Sequence, residues 1–261
     1  MRRTETILMA VVLLCGTAAG CGTAGREESS SAPATTIASV GPPAVDQPLR
    51  DCASGPAVAL RKEVIKGPER DLEIGLAGDT GARGVVIANT INGSNCDWSP
   101  MAADLVAEGY RVAVFQYGFI PIQLGVAGSL ERGKREMLAV GARLREEGVT
   151  KLVYAGGSLG GSVAISAAAD PDSEAAGVIS LSGGLDELTD VVGKLRVPVL
   201  YLVAEDDFAA AQVADRLHKS TSEGKGTLVR FPGAAHAGDM FRDKRYATDL
   251  LGEIRRMLEA V

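Results

Sequence analysis

The sequence predicts an α/β protein built on a mostly parallel sheet of about eight strands with helices on both faces. Two observations carry this. From about residue 58, short Val/Ile/Leu-rich runs alternate with longer amphipathic segments, the order of repeated strand, helix, strand units. The later runs, such as Val197–Val203, are apolar at successive positions, which suits strands covered on both faces.

The strands are expected at Val58–Val64, Asp71–Leu76, Gly84–Asn89, Arg111–Gln116, Lys151–Ala155, Gly177–Leu181, Val197–Val203 and Thr227–Phe231. Helices are expected at Ser99–Glu108, Ser129–Glu147, Leu159–Ala169, Leu185–Leu195, Phe208–Lys219 and Lys244–Ala260. Gly109 and Gly148 each stop a helix just before a strand. The first two strands are joined through Gly67 and Pro68, too short a link for a crossover helix, so they should pair antiparallel. Between Leu181 and Val197 there is room for one short helix, so no large cap domain is expected.

Composition narrows the functional classes. With 46% apolar and 23% charged residues the chain can bury a large core without metals. A formal charge of −6 and the lack of a basic stripe argue against nucleic acid as a partner. No pair of histidines stands at ligand spacing, so no metal and no other cofactor is expected.

The first 20 residues read as an export signal: Arg2 and Arg3, an apolar run Ile7–Leu14, then the small residues Gly16–Gly20. Ala18-Ala19-Gly20-Cys21 resembles the lipobox of bacterial lipoproteins, with Ala18 where Leu or Val is usual. The resemblance implies lipidation of Cys21 and a place on the outer side of the bacterial cell membrane, with secretion as the alternative. Residues 21–50, rich in Ser, Ala, Pro, Thr and Gly, read as a flexible tether, and 51–261 as the folded domain. Cys52 and Cys96 are then the only cysteines in the body, and an oxidising compartment favours their pairing.

The chemistry centres on Gly156-Gly157-Ser158-Leu159-Gly160, a GxSxG string. In a chain with 32 glycines the string alone says little. Its setting says more: it follows the apolar Leu152–Ala155 and precedes a helix-like run, the strand–turn–helix context of a nucleophile elbow. A dinucleotide or phosphate loop would need Gly at 158 or Lys at 162, and both are Ser. A serine nucleophile needs a base. Of two histidines, His218 lies in a helical run, where a solvent-facing role is expected. His236 lies in a loop of small residues after the last strand, at the sheet edge where parallel sheets present their sites. Ala204-Glu205-Asp206-Asp207 follows another strand, and its carboxylates complete the order Ser, Asp, His.

On these motifs the body, from about residue 70 onward, resembles the α/β-hydrolase superfamily. The resemblance implies the α/β-hydrolase fold, Ser158 as nucleophile, His236 as base and an acid three residues after Ala204, at Asp207. Asp206 is the alternative, and some members place the acid nearer Asp186. One oxyanion donor is expected from Leu159 N–H. The second should come from the loop after Gly84–Asn89, where many relatives carry His-Gly and this chain carries Asn89-Thr90; Ile91 is favoured, then Thr90. Trp98 falls where relatives often carry an aromatic, and helix packing is its expected role. Tyr117–Ile122 is a candidate acyl-pocket lining. A small-molecule acyl substrate cleaved as an ester, thioester or related bond is implied; peptidase or dienelactone-type hydrolysis uses related chemistry. A tethered binding protein with a retained fold is the competing class, and three triad residue types in order count against it.

Overall fold

The computed structural model describes residues 49–52, 59–91, 93–116 and 125–261. The expected signal, nearly all of the tether, Cys21 and the Tyr117–Ile122 segment lie outside the described residues. Eight strands form one sheet in the order β1-β2-β4-β3-β5-β6-β7-β8. They run β1 Arg61–Lys66, β2 Asp71–Ala77, β3 Arg83–Ala88, β4 Arg111–Phe115, β5 Lys151–Gly157, β6 Ala175–Leu181, β7 Val199–Ala204 and β8 Gly226–Phe231. β1 pairs antiparallel with β2, and β2 antiparallel with β4; every other pairing is parallel. The link between β1 and β2 is thus the hairpin that Gly67 and Pro68 predict.

The helices are α1 Ser99–Ala107, α2 Gly125–Glu146, α3 Leu159–Ala168, α4 Thr189–Val192, α5 Phe208–Ser220 and α6 Ala247–Glu259. Alternation along β3 shows why both faces are covered. Val85 and Ile87 join the core under α1 and α6, which holds Leu105, Leu250 and Ile254, while Val86 and Ala88 join the opposite core under α2 and α3, with Met137, Val140 and Val163. All four β3 side chains are fully buried.

Several boundaries differ from the sequence reading for local reasons. β7 starts at Val199, one residue after Pro198, which has no N–H to give to a ladder. The expected helix Leu185–Leu195 is a 3-10 turn, Asp186–Leu188, followed by the single turn of α4. α2 begins four residues before Ser129, at Gly125. Further 3-10 turns at Asn95–Trp98, Pro171–Ser173 and Ala237–Arg242 lack the apolar period that betrays longer helices. Gly109 and Gly148 take φ of 79° and 97°, the left-handed stops expected after α1 and α2.

Cys52 and Cys96 form a disulfide with Cα atoms 5.3 Å apart. It fastens the segment around Arg50 to the Asn95–Trp98 turn. Asn95 reinforces that junction: its Oδ1 accepts from Arg50 N–H at 2.8 Å and its Nδ2 donates to Arg50 O at 2.9 Å. Among the described residues no helix is long and apolar enough to cross a membrane.

Candidate active site

β5 is central, flanked by β3 and β6, and its carboxyl end turns directly into α3. Ser158 sits in that turn with φ 53° and ψ −122°, a strained conformation for any residue with a side chain. The turn is held because its N–H donates to Leu181 O at 3.0 Å, while Ser158 O accepts from Gly161 N–H and Ser162 N–H. Its tightness dictates glycine. A Cβ on Gly156 would stand 2.4 Å from the backbone C and O of Gly160, and one on Gly161 would stand 2.6 Å from Ser180 Oγ.

Asp207 and His236 are brought together by strand pairing that runs on past the sheet. β7 and β8 are parallel neighbours, and beyond their ends Glu205 N–H donates to Phe231 O and Asp206 N–H to Gly233 O, both at 2.8 Å. The two loops leave the sheet side by side, and Asp207 Oδ2 meets His236 Nδ1 at 2.7 Å. Asp207 has 16% of its side chain exposed and His236 44%, so the carboxylate is the sheltered partner. A carboxylate can only accept here, which assigns the proton to Nδ1 and leaves Nε2 as an acceptor. Asp206 and Asp186 are placed elsewhere: the former is exposed, and the latter pairs with Arg216 at 2.7 Å. That pairing holds the Asp186 carboxyl below its usual range.

Ser158 and His236 line one cavity of about 490 Å³, together with Ile91, Leu159 and otherwise mainly small or apolar side chains, among them Val126, Leu185, Ala210 and Val213. No hydrogen bond joins Ser158 Oγ to the ring, a common state of such pairs before substrate binds. Among the described residues His236 is the only titratable side chain in that lining. Leu159 opens α3, where an N–H has no partner within its helix.

The loop after β3 lies beside the elbow because Ala88 is in register with Gly156. There Asn89, fully buried, accepts Thr90 N–H at 2.8 Å on Oδ1. Of the two residues expected to supply the second donor, Thr90 is therefore occupied, and Ile91 is the one that lines the cavity. Trp98 is fully buried, edge-on to Phe241 at 6.0 Å, and its indole N–H also donates to Asn89 Oδ1, at 2.9 Å. It does more than pack a helix.

His218 is half-buried rather than solvent-facing, its ring edge-on to Tyr201 at 6.2 Å, and it is absent from the cavity lining. Two serines that sequence reasoning passed over support the site. Ser182 Oγ accepts Ala237 N–H at 3.1 Å beside the histidine, and Ser162 Oγ accepts Gly184 N–H at 3.1 Å. A non-glycine residue with positive φ, as at Ser182 (46°) and Ala237 (49°), leaves no mark in a sequence. Among the described residues no group of three His, Cys, Asp or Glu side chains could hold a metal ion.

The model of the dienelactone hydrolase family matches residues 126–248, which include Ser158, Asp207 and His236. A search of curated proteins finds no match. Among solved structures, a dienelactone hydrolase from Anabaena variabilis superposes with a TM-score of 0.63 at 18% identity, covering 77% of this chain and 98% of that one. The esterase Pf2001 of Pyrococcus furiosus gives 0.64 at 12% identity, over 82% and 98% of the two chains. Est1E from Butyrivibrio proteoclasticus gives 0.62 at 18%, over 77% and 99%. These likenesses establish the α/β-hydrolase fold.

Proposed function

We propose that this hydrolase of the α/β-hydrolase superfamily cleaves an ester, thioester or similarly activated acyl bond through an acyl-enzyme on Ser158. One observation carries the reading: a serine in a strained strand–helix turn shares a cavity with a histidine whose far nitrogen is held by a sheltered aspartate. Ser158 Oγ attacks the acyl carbon while His236 Nε2 takes its proton. The oxyanion that forms is met by Leu159 N–H and Ile91 N–H. Asp207 keeps Nδ1 protonated and stabilises the imidazolium. The tetrahedral adduct collapses as His236 returns the proton to the leaving oxygen or sulfur. Water, deprotonated by the same ring, then releases the acid and restores Ser158.

The lining favours an uncharged substrate, because among the described residues its side chains other than His236 carry no charge. Family match and neighbours support hydrolysis of lactones or carboxylic esters.

A fluorophosphonate probe tests the mechanism. Labelling of the wild type that vanishes in Ser158→Ala is expected, with Asp207→Asn lowering kcat by about four orders of magnitude through the wrong tautomer. Unlabelled, folded wild-type protein would refute the acyl-enzyme and favour a binding role. Export and anchoring through Cys21 belong to the same proposal, supported by the lipobox-like sequence and by a disulfide that suits an oxidising compartment. Cys21→Ser is expected to move the protein from the membrane fraction to the medium, and an unchanged distribution would remove the anchor.

A further inference from the structure

We infer that Asn89 is a positioning residue that selects the second oxyanion donor: by claiming Thr90 N–H it leaves Ile91 N–H as the group presented to the developing charge. This rests on the serine-hydrolase reading of the site and adds to it the element that sets the geometry of the loop.

Four observations converge. Asn89 is the first residue beyond β3, fully buried, and its N–H still donates to Phe115 O at 3.3 Å, so its backbone is fixed by the sheet. Its Oδ1 accepts two N–H groups, from Thr90 at 2.8 Å and from Trp98 at 2.9 Å. The amide is therefore pinned from the far side by an indole that is itself fully buried. Finally, the chain folds closely around it. A Cβ on Gly93 would come within 2.2 Å of Thr90 Oγ1 and 2.7 Å of Asn89 Oδ1.

Trp98 is held in turn by the Asn95–Trp98 turn. Ser94 caps that turn, accepting Cys96 N–H at 3.2 Å, while Asp97 Oδ2 accepts Ser94 N–H at 2.8 Å. The disulfide at Cys96 ties the same turn to the chain before β1. A buried side-chain acceptor thus takes the place of purely backbone determinants. An amide oxygen with two donors has its lone pairs filled and is not free to swing toward a substrate. Its contribution to turnover is then indirect, through the placement of the Ile91 peptide. A donor aimed at the oxyanion acts on the transition state and hardly on ground-state binding, so its loss falls on kcat rather than KM.

The experiment compares a p-nitrophenyl ester of a short acid with its thiono counterpart, in which C=S replaces C=O. Sulfur is a poor acceptor, so the oxygen-over-sulfur rate ratio reports how much the oxyanion donors contribute, which a general loosening of the fold does not alter. Wild type, Asn89→Ala and Trp98→Phe are measured, each checked for folding by circular dichroism and for Ser158 labelling by a fluorophosphonate. Asn89→Ala is expected to lower kcat by about 100-fold with KM within about twofold, and to lower the oxygen-over-sulfur ratio by about tenfold or more. Trp98→Phe removes one of the two donors to Asn89, together with ring atoms that pack on Gly157, and is expected to shift both quantities in the same direction by about tenfold in kcat. If Asn89→Ala does not fold, Trp98→Phe decides alone. A ratio unchanged from wild type in a labelled, folded variant overturns the role of Asn89 whatever happens to kcat. Failure of the wild type itself to be labelled overturns the underlying reading of the site, and the inference falls with it.

Discussion

The two loops that meet at the cavity are built in opposite ways. The elbow after β5 is fixed by backbone packed on backbone: Gly156 against Gly160, Gly161 against Gly183, Ser158 N–H on Leu181 O. The loop after β3 is fixed by side chains, with Asn89 gripping Thr90 and Trp98, and it depends on a turn that a disulfide anchors. Backbone packing is local and unforgiving. Side-chain bracing reaches across sequence and has more ways to adjust. Damage to the first should therefore cost stability and Ser158 geometry together, and damage to the second should lower turnover in each molecule that remains folded.

The largest effect should come from removing the cross-link on the side-chain-braced side. The disulfide closes a loop with a sequence separation of 44 residues, and on the chain-entropy estimate its loss costs ~4 kcal/mol. Denaturant titration of Cys52→Ser/Cys96→Ser should show that drop. Under native conditions, the fraction still folded should keep fluorophosphonate labelling at Ser158 while its kcat falls, since the bridge is tied to the Asn95–Trp98 turn and not to the elbow itself. Equal loss of labelling and turnover per folded molecule would erase the distinction between the two loops.

On the elbow side, Gly156→Ala forces a methyl onto Gly160 backbone atoms at 2.4 Å and toward Ala88 O at 2.9 Å. Backbone has little room to yield, and overpacking of this kind costs about 3 kcal/mol. A lowered midpoint or a loss of soluble protein is expected, with kcat per folded molecule falling as Ser158 shifts.

How far each loop can be read in the sequence follows the same division. The elbow is legible because small residues, a preceding strand and a following helix are all within a dozen positions of Ser158. The sheet is legible because each strand carries its own apolar run. His236 and Asp207 are legible from their places after strands, although the choice of Asp207 over Asp206 in the sequence rests on the family resemblance. What is hidden depends on partners far apart in sequence or on backbone angles. Nothing in Asn89 alone says that its amide holds an indole nine residues later, and nothing in Ser182 or Ala237 announces a positive φ. The helix expected at Leu185–Leu195 shrank to a 3-10 turn and one α-helical turn because apolar spacing marks burial without fixing helix length.

A milder test of the comparison replaces Gly93 by Ala. Its nearest obstacles are Thr90 Oγ1 and Asn89 Oδ1, side-chain atoms rather than backbone. The cost to stability should be about 1–2 kcal/mol, below that of Gly156→Ala, while kcat should fall by more than stability alone explains. Thermal melts of the two variants side by side check the order; a Gly93 variant less stable than the Gly156 variant would reverse the assignment of rigid and adjustable loops.

The smallest effect separates buried bracing from surface bracing within the same region. Arg242 bridges Asp97, in the turn that braces the loop after β3, and Asp239 just after the histidine, so it too links the two halves of the site. Its side chain is 59% exposed, however, and solvent weakens such pairs. The hydrogen bond with Asp97 raises the already high Arg242 pKa. Arg242→Ala should cost less than about 1 kcal/mol and leave kcat within about twofold, with whatever loss there is shrinking further in 1 M salt. A loss as large as that of Trp98→Phe would mean that the exposed ion pairs, and not the buried amide, hold the loop after β3 and the histidine loop together.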